Sequence, residues 1–543
     1  MSGVENVVMR REINGWSVRV DEGRVERARA AGRWLDTTIA EAAAELNRAD
    51  PDRVVVVEGS TRLTVRELYS QAVQLADAMR GSGLRPGDVV SFMLPNWHEG
   101  CVVYLAASIA GLVANPLVTA YRNAELTFML ADCRSRMIFI PANYRRHDYV
   151  AMLDEVCREL RDPPKVVVVR GAAPRFMSYT DLVARGQSTA AFDRVDPDSV
   201  RMILYTSGST GRPKGVLHTH NTLNAVIKQI HETWRCGAGA RFFIPSPISH
   251  IGGSMYAFEL PLLFKTTAVL LDTWDAEVAV QIIDGERCTH TAGATPFLQQ
   301  ILSVAQARGT RLPSLEVFIC GGASVPPSLV REATDWFSGC VVTRVYGSTE
   351  VPTITVGSFR PGDIAHAADT DGEIGYAEVK ITGATGDEGE IWVRAPQMLV
   401  GYLRVEDEAD AFDADGYFRS GDLGRLVDER FVVISGRKKD LIIRYGENIS
   451  PKEVEDILTS HPDVAEVSIV GIPSARTGEM ACAFIVPRGG TQPTVNTLAE
   501  YLSVRGVARF KFPERVELRE FMPRNAAGKI LKHVLRAELL ERT

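Results

Sequence analysis

Glycine, hydroxyl and lysine side chains are concentrated in one run, YTSGSTGRPKGV, which extends from Tyr205 to Val216 and follows a strand-like RMIL. Glycines let backbone N–H groups converge on an anion, hydroxyls add donors, and a lysine supplies a positive point charge. The spacing does not fit the phosphate loop GxxxxGK(S/T). The run therefore predicts a phosphate-binding loop of a different kind. Its candidate contacts are Thr206, Ser207, Gly208, Ser209, Thr210 and Lys214.

Two carboxylates further along the chain are candidates for metal and nucleotide contacts. Glu350 ends the run YGSTE, and a carboxylate is a hard oxygen ligand suited to Mg²⁺. In the same run, the ring of Tyr346 stands beside a glycine and can lie flat on a base. Asp422, in SGDLG, can accept two hydrogen bonds from vicinal ribose hydroxyls. The alternatives are a solvated surface carboxylate for Glu350 and a structural turn residue for Asp422.

The elements that must hold these residues follow an α/β pattern in the first part of the chain. Short β-branched runs such as VVVVEG, DVVSFML, RMIFIPA and KVVVVRG recur between helical stretches. Continuous apolar strands of this kind are typical of parallel sheets covered by helices on both faces. From about Gly372 to Ser435, strands are separated by short turns that leave no room for helices, which predicts an antiparallel or barrel-like stretch. After Gly436, the pattern indicates a separate α+β domain.

The composition excludes several classes of protein. The 543 residues, 45% of them hydrophobic, predict several packed units and exclude global disorder. With 61 Lys and Arg against 68 Asp and Glu, the net charge of −7 argues against a nucleic-acid partner. The uncharged stretch between Glu99 and Arg122 is interrupted by glycine, asparagine and proline. We therefore interpret it as a buried helix followed by a buried strand, and expect no transmembrane segment.

The cysteines and the start of the chain favour a cytoplasmic protein. Eight cysteines lie far apart without a CxxC pair, which is typical of free thiols in a reducing compartment. The first residues, MSGVENVVMRREINGW, carry acidic side chains and lack the apolar core of a secretory signal. The sequence leaves the oligomeric state open, and a homodimer is among the states that it allows.

Further motifs identify a resemblance. The phosphate loop looks like the signature of the adenylate-forming superfamily, which includes acyl-CoA synthetases, adenylation domains of peptide synthetases and luciferases. ICGGASVPP, YGSTE, GYFRSGDLG, GRKKDLIIRYGENISPKEVE and PRNAAGKI follow in the order that the family shows. The resemblance extends from about residue 35 to the C-terminus, and the first few dozen residues have no counterpart that we can name.

The resemblance implies an architecture of two domains. The large N-terminal domain, residues 1–436, would contain two helix-covered, mostly parallel sheets and a β-barrel-like subdomain, and would bind the nucleotide and the acyl substrate. The small C-terminal domain, residues 437–543, would be a mobile α+β lid that carries a catalytic lysine.

The resemblance also implies roles for individual residues. It assigns adenine stacking to Tyr346, the metal to Glu350 with Thr206, and the ribose to Asp422. Arg437 would be a second ribose or phosphate contact, and Lys439 falls at the hinge between the domains. Further nucleotide contacts are implied for Gly322, Ala323, Ser324, Gly347, Ser348 and Thr349. Gly446 falls where relatives line the pantetheine tunnel, but here Tyr445 replaces a glycine that many relatives have, which leaves the contour of the tunnel open.

Lys529, within PRNAAGKI, is the candidate for the first chemical step. Attack of a carboxylate on the α-phosphate of ATP brings two anions together, and a preorganised ammonium would stabilise the transition state. Taken alone, a lysine near the C-terminus would be a solvated side chain. The preceding PRNAAG frame favours the functional interpretation.

The acyl site is less clearly marked. The uncharged run SPISHIGGSMYAF at 246–258 resembles the family segment that lines the carboxylate substrate, with His250 near the carboxylate. A neutral apolar wall suits a hydrophobic acyl group. The alternative for His250, Met255 and Phe258 is ordinary core. The run contains no lysine or arginine that would bind a second carboxylate, so we expect the substrate to carry only one.

Together these features predict an acid:CoA ligase that uses ATP, Mg²⁺ and CoA. ATP and a hydrophobic carboxylic acid, either a short- to medium-chain fatty acid or an alicyclic or aromatic acid, would give acyl-AMP and pyrophosphate. CoA would then form the thioester and release AMP. The main alternative is an acyl-AMP ligase that delivers to an acyl-carrier protein. A luciferase-like oxygenase and a regulatory protein without turnover are the others.

Overall fold

Strands form where the sequence has its apolar, β-branched runs. The computed structural model describes residues 8–171, 173–206, 212–322, 325–385, 387–444, 447–474, 477–525 and 528–541. The first sheet has seven described strands, of which the last runs antiparallel and the others parallel. In spatial order they are Met177–Ser178, Lys165–Val169, Ser135–Pro141, Val89–Phe92, Val113–Pro116, Val200–Thr206 and Lys214–Thr219.

The second sheet repeats this arrangement. It also has seven described strands, and only its last strand runs antiparallel to its neighbour. In spatial order they are Val341–Val345, Val317–Gly321, His290–Gly293, Arg241–Ile244, Thr267–Leu270, Val54–Glu58 and Thr61–Thr64. The prediction of parallel-rich sheets covered by helices is therefore confirmed.

Three helices lie between the two sheets: Val65–Gly81, His98–Ile109 and His220–Trp234. Their side chains share one hydrophobic core with Val90 of the first sheet and Phe242 of the second. Every residue of His98–Ile109 after the first is buried, so the uncharged stretch is core, as predicted. In the described part of the chain, no helix has the length and hydropathy needed to cross a membrane.

The large domain has further described helices, of which Ile39–Ala49, Leu260–Phe264 and the π-helix Met255–Glu259 contribute side chains to the same central core. These further helices are Glu22–Ala30, Ile39–Ala49, Asn123–Asp132, Tyr149–Glu159, Tyr179–Val183, Ile251–Ser254, Leu260–Phe264, Ala276–Gly285, Thr295–Arg308, Pro327–Trp336 and His366–Asp369, with a π-helix at Met255–Glu259. Short 3₁₀ turns occur at Pro361–Asp363, Val405–Glu408, Lys438–Asp440 and Arg509–Lys511. Two antiparallel hairpins complete the large domain, Val8–Ile13 with Trp16–Asp21 and Asn143–Tyr144 with His147–Asp148.

The stretch with short turns forms an antiparallel sheet, as predicted. Its four described strands follow one another in the order Glu378–Thr385, Glu388–Arg394, Phe418–Val427 and Phe431–Arg437. The apolar side chains of this sheet pack with Val216 of the first sheet, so the third sheet is anchored beside the phosphate loop.

The C-terminal part has a hydrophobic core of its own. Two clusters contain only residues that follow position 441. The strands are Ile442–Arg444, Glu447–Ile449, Val464–Ser474, Gly478–Pro487 and Arg515–Leu518, and the helices are Pro451–Leu458, Val495–Val504 and Lys532–Leu540. Pro451 stands at the first turn of its helix, where its fixed φ and missing N–H are tolerated. Glu447–Ile449 pairs antiparallel with Ile442–Arg444.

Candidate active site

The phosphate loop is the tip of a hairpin at the edge of the first sheet. Thr206 ends one strand, Lys214 begins the next, and the two residues are direct register partners. Thr206 therefore lies at the carboxyl end of a parallel strand, where open α/β sheets bind ligands. The predicted contacts Ser207, Gly208, Ser209 and Thr210 lie outside the described residues.

Lys214 is held beside the loop by residues that the sequence did not single out. Its Nζ lies 3.7 Å from Oδ1 of Asp407 and donates to the carbonyl oxygen of Asp407 at 3.4 Å. The same ammonium lies 5.2 Å from the centre of the Tyr402 ring. Arg212 pairs with the carboxylate of Asp407 at 2.9 Å. Two cations thus converge on one nearly buried carboxylate beside the hairpin tip.

Tyr402 also reaches Glu350. Its phenol donates to Oε1 of Glu350 at 3.1 Å, while the carbonyl oxygen of Glu350 accepts from the backbone N–H of Leu399 at 2.8 Å. Burial and the neighbouring Glu350 raise the pKa of Tyr402, so the phenol stays a donor at physiological pH. One tyrosine therefore contacts both the predicted phosphate ligand Lys214 and the predicted metal ligand Glu350.

The YGSTE run forms a tight loop before Glu350. A Cβ on Gly347 would lie 2.5 Å from the backbone nitrogen of Thr353, so the position excludes a side chain. Ser348 Oγ accepts from the N–H of Val351 at 3.1 Å. The carbonyl oxygen of Thr349 lies 2.7 Å from Nε2 of His218. Burial lowers the pKa of His218 to about 4, so the ring is neutral and Nε2–H is the donor.

Asp422 lies in a buried pair of hydrogen bonds. Its Oδ2 accepts from the phenol of Tyr346 at 2.6 Å, and its Oδ1 lies 2.7 Å from Nε of Arg437, its register partner in the third sheet. Each carboxylate oxygen has a second lone pair, so the group keeps acceptor capacity for the two ribose hydroxyls. The structure thus brings together three of the residues predicted to contact adenosine.

Lys529 of the C-terminal domain lies close to this group. Burial, and then the charge of Arg437, lower the pKa of Lys529 to about 8, while Asp422 and Asp440 act in the opposite direction. Lys529 keeps an exposed surface even though its pKa is that of a group with many protein atoms around it.

The loop of Lys529 also reaches the large domain. The backbone N–H of Lys529 donates to Oδ1 of Asn525 at 2.9 Å, which closes a short turn. A Cβ on Gly528 would lie 3.6 Å from Cβ of Ala294. The predicted catalytic lysine therefore lies on the side of the C-terminal domain that faces the predicted nucleotide contacts.

Other predicted contacts are only partly described. Gly322 has a φ of +80°, a conformation that favours glycine, and it follows the strand Val317–Gly321. Lys439 is exposed on the 3₁₀ turn Lys438–Asp440, between the third sheet and the C-terminal domain. Ala323, Ser324, Tyr445 and Gly446 lie outside the described residues, so the tunnel contour stays a prediction.

The predicted acyl wall contains a histidine that caps a short helix and two apolar residues that are buried in the hydrophobic core. His250 caps the short helix Ile251–Ser254, and its Nδ1 accepts from the N–H of Gly252 at 3.1 Å. Burial lowers the pKa of His250 to about 4, so the ring is neutral and Nε2 carries its proton. Met255 and Phe258 are each 3% exposed and belong to the main hydrophobic core, where Phe258 stacks on Tyr104 with ring centres 4.3 Å apart. For these two residues, the core alternative describes what the structure shows.

The donor set near the loop fits Mg²⁺. Glu350 is a half-buried carboxylate and Thr206 offers a hydroxyl at the strand end, and both are the hard oxygen donors that this cation prefers. Among the described residues, Glu58, His98 and Glu99 also bring ligand atoms together. There the guanidinium of Arg170 lies 2.8 Å from oxygens of both carboxylates and supplies the positive charge. Although burial opposes it, hydrogen bonds from His98 and Arg170 lower the pKa of Glu58 to about 2, as expected for a salt-bridge network.

Comparison with known proteins decides the family. The model of AMP-binding enzymes matches residues 42–403, and the model of the AMP-binding enzyme C-terminal domain matches residues 453–529. The chain is an AMP-binding enzyme. The predicted resemblance to the adenylate-forming superfamily is confirmed, and with it the prediction of an AMP-forming acyl-CoA synthetase at the level of the family.

Curated relatives cover nearly the whole length of this AMP-binding enzyme. The medium-chain fatty-acid–CoA ligase of Escherichia coli is 33% identical and covers 96% of this chain and 94% of its own. The feruloyl-CoA synthase of an Amycolatopsis species is 31% identical over 90% of this chain and 96% of its own.

Solved structures agree in fold. The ATP-bound MatB of Rhodopseudomonas palustris is 28% identical, covers 92% of this chain and 98% of its own, and has a TM-score of 0.80. The fatty acyl CoA synthetase of Mycobacterium tuberculosis is also 28% identical, with the same coverage and a TM-score of 0.71. The AMP-binding enzyme described here therefore has the two-domain fold that the sequence predicts.

Sequence reasoning missed the residues from distant parts of the chain that contact the predicted site residues. Tyr402 and Asp407 lie about 190 residues beyond Lys214 in the chain, and Ala294 lies far from Gly528. Asp407 belongs to the acidic run VEDEAD, which is typical of a solvated surface. Only the packing of the third sheet against the first brings these residues to the loop, and no local signal in the sequence indicates it.

Proposed function

We propose that this enzyme is an acid:CoA ligase that activates a hydrophobic carboxylic acid as acyl-AMP and then transfers the acyl group to CoA. The observation that supports the proposal best is that Lys529 lies near enough to Asp422 and Arg437 for their charges to act on it, while a Cβ on the preceding Gly528 would lie 3.6 Å from Cβ of Ala294. A lysine of a separate domain that enters a nucleotide site suits a reaction in which the lid serves one step and then moves. The relatives named as CoA ligases support CoA as the thiol that accepts the acyl group.

The adenosine half of ATP would be bound by the group around Asp422. We assign adenine stacking to Tyr346, whose phenol is anchored on Asp422, and the ribose hydroxyls to the remaining acceptor sites of Asp422. Arg437 orients the carboxylate through its contact with Oδ1. The further contacts that we propose are Gly322, Ala323, Ser324, Gly347, Ser348 and Thr349.

The triphosphate would lie along the hairpin tip. Lys214 and the loop residues 206–210 would bind phosphate oxygens, and Glu350 with Thr206 would hold Mg²⁺. The cation, when bound, neutralises negative charge on the phosphates. Tyr402 orients the carboxylate of Glu350 by donating to Oε1, so a metal ligand would be preorganised before ATP arrives.

The first step would join the acid to AMP. A carboxylate oxygen attacks the α-phosphorus, a new oxygen–phosphorus bond forms, and the bond to pyrophosphate breaks. The Lys529 ammonium would stabilise the negative charge that collects between the two reacting anions. His250, neutral with a proton on Nε2, is positioned by its helix cap and would orient the substrate carboxylate.

The second step would use a different face of the lid. The thiol sulfur of CoA attacks the carbonyl carbon, AMP leaves with the bonding electrons, and the thiol proton passes to solvent. We propose that the backbone around Lys439 is the hinge between residues 1–436 and 437–543, and that Gly446 lines the path of pantetheine. AMP is a far better leaving group than the oxygen of a free carboxylate.

The acid would be uncharged apart from its carboxylate. The wall at 246–258 carries no cation, which favours a short- to medium-chain fatty acid or an alicyclic or aromatic acid. We place the enzyme in the cytoplasm, because all eight cysteines are unpaired thiols and seven of them are buried. A homodimer stays a prediction.

A screen of pyrophosphate release tests the proposed function. The purified enzyme is given ATP, Mg²⁺ and a series of straight-chain, alicyclic and aromatic acids, first with CoA and then with an acyl-carrier protein instead. We expect acid-dependent release of pyrophosphate and a thioester with CoA. Thioester formation only on the carrier protein would favour the acyl-AMP ligase alternative, and no release with any acid would contradict the proposal.

A further inference from the structure

The first described residues form an arm that neither the motifs nor the matched family segment accounts for. The N-terminal arm, residues 8–30, consists of the hairpin Val8–Asp21 and the helix Glu22–Ala30, whereas the family match begins at residue 42. It docks on residues 397–408, the segment that holds Tyr402 and Asp407. We propose that the N-terminal arm positions the phosphate and metal end of the nucleotide site, with Arg10 and Arg24 as positioning residues. The inference rests on the proposed function of Lys214 and Glu350.

Arg24 reaches the 397–408 segment from the helix of the arm. The residue is 4% exposed, and its Nη1 donates to the carbonyl oxygens of Met398 and Leu399 at 3.2 and 3.3 Å. Asp21 caps the helix by accepting from the N–H of Arg24 at 2.9 Å, which fixes the start of the arginine side chain. Burial lowers the pKa of Arg24 to about 10, so the guanidinium is still charged at neutral pH. The two buried carbonyls thus have a charged donor, which fixes the path of their backbone.

The backbone that Arg24 fixes continues directly to Glu350. The N–H of Leu399 donates to the carbonyl oxygen of Glu350 at 2.8 Å. One residue later, the carbonyl of Val400 accepts from the N–H of Arg19 in the arm at 2.7 Å, and its N–H donates to Leu217 of the phosphate hairpin at 3.0 Å. A displacement of this backbone would therefore move the predicted metal ligand and the hairpin together.

Arg10 supports the same segment at its other end. Its guanidinium lies 2.5 Å from Oε2 of Glu408, whose Oε1 accepts from the backbone N–H of Tyr402 at 2.9 Å. The Glu408 side chain is only 9% exposed, and Arg10 is 30% exposed. Glu408 follows Asp407, the partner of Lys214, in the same 3₁₀ turn. The arginine therefore acts on both residues that hold Lys214.

The N-terminal arm and the 397–408 segment pack closely around Gly401. Gly401 has a φ of +131°, and a Cβ there would lie 2.6 Å from Oε1 of Glu408 and 4.0 Å from Cβ of Arg19. The position is thus reserved for glycine by its backbone and by its neighbours. Such close packing means that the arm cannot shift without moving Tyr402.

Binding of MgATP in the absence of acid tests the inference on the full-length protein. Arg10→Gln is compared with Arg11→Gln, because Arg11 is the next residue of the same strand and pairs with Glu22 of the arm instead of with the 397–408 segment. Titration calorimetry gives Kd for ATP at saturating Mg²⁺, and Tm is measured for each variant. We expect Kd to rise about fivefold in Arg10→Gln, the order expected for a half-buried ion pair, and to stay within about twofold of wild type in Arg11→Gln.

Arg24 supplies a second, stronger comparison. Arg24→Met should raise the KM for MgATP about tenfold or more and leave the KM for the acid unchanged, whereas Arg24→Lys should restore part of the affinity. Arg27→Met, on the exposed face of the same helix, should behave as wild type. A role that is only structural would reduce the amount of folded enzyme, and so kcat, without changing KM. If Arg24→Met does not fold, the Arg10 comparison decides alone.

The outcomes separate the inference from the proposed function. Adding Arg10→Gln to Tyr402→Phe should change Kd less than Arg10→Gln does alone, because the two residues act in series. Wild-type affinity for MgATP in both Arg10→Gln and Arg24→Met would overturn the inference and leave the proposed function intact. A wild-type protein that does not bind MgATP would instead overturn the proposed function.

Discussion

At the scale of single residues, the site depends on a few side chains that contact two partners each. Tyr402 contacts Lys214 with its ring and Glu350 with its phenol. Asp422 accepts from Tyr346 and pairs with Arg437. Such shared contacts fix orientations before a substrate arrives, which is how preorganised sites lower the cost of reaching the transition state.

The ionisation of Lys529 predicts a pH dependence of the first step. Burial lowers the pKa of Lys529 to about 8; the charges of Arg437 and Lys439 act in the same direction, and those of Asp422 and Asp440 oppose them. The proposed first step requires the ammonium, which is present below that pKa and lost above it. We therefore expect kcat/KM for acid-dependent pyrophosphate release to fall as pH rises through about 8, by about tenfold per unit at the alkaline end.

Two further measurements accompany this profile. Lys439→Gln removes a neighbouring positive charge that lowers the pKa of Lys529, so the decline should move to higher pH. Thioester formation from supplied acyl-AMP should not show the decline. A flat profile of pyrophosphate release between pH 7 and 10 would contradict the role given to the ammonium.

Residues inside motifs could be predicted, and their partners could not. Thr206, Lys214, Glu350 and Asp422 stand in runs whose composition already indicates phosphate, metal or ribose chemistry. Tyr402 and Arg24 stand in runs without such a signal, because their importance arises only from contacts with residues remote in sequence. For Met255 the sequence left substrate wall and core open, and the structure buries the residue in the core.

At the scale of elements, the predicted site residues follow the carboxyl ends of parallel strands. Strands ending at Thr206, Gly321 and Val345 each lead directly into a predicted nucleotide-binding run. The alternation of apolar strands and helices predicts this arrangement because buried parallel strands have a recognisable composition. The order of strands within each sheet, with Val54–Glu58 at the far side of the second sheet, has no local signal and could not be predicted.

The turn at Lys439 predicts a separation of the two half-reactions. Proline locks φ near −65°, which fits the present 3₁₀ turn but opposes a large change of backbone. Lys439→Pro should therefore retain pyrophosphate release within about threefold and lose at least about tenfold in thioester formation. Lys439→Ala is the matched control, because it removes the charge and leaves the backbone free. Equal losses of both half-reactions in the proline variant would show that the hinge lies elsewhere.

At the scale of the whole molecule, the C-terminal domain packs beside the third sheet of the large domain. The C-terminal residues form clusters of their own, while Ser450 donates to the carbonyl oxygen of Ser435 in the third sheet. The sequence could predict two domains from the change of pattern near Gly436, but not the pose in which Lys529 meets Asp422, since that depends on the surfaces of both domains.

Lys529→Ala, assayed separately in the two half-reactions, tests the central claim most directly. The variant should lose about 10² to 10³-fold in acid-dependent pyrophosphate release, the magnitude typical of one lost electrostatic contact in the transition state. Thioester formation from supplied acyl-AMP and CoA should stay close to wild type, because in the proposed mechanism the lysine leaves the site before the second step. Parallel loss of both half-reactions, or wild-type release of pyrophosphate, would contradict the account.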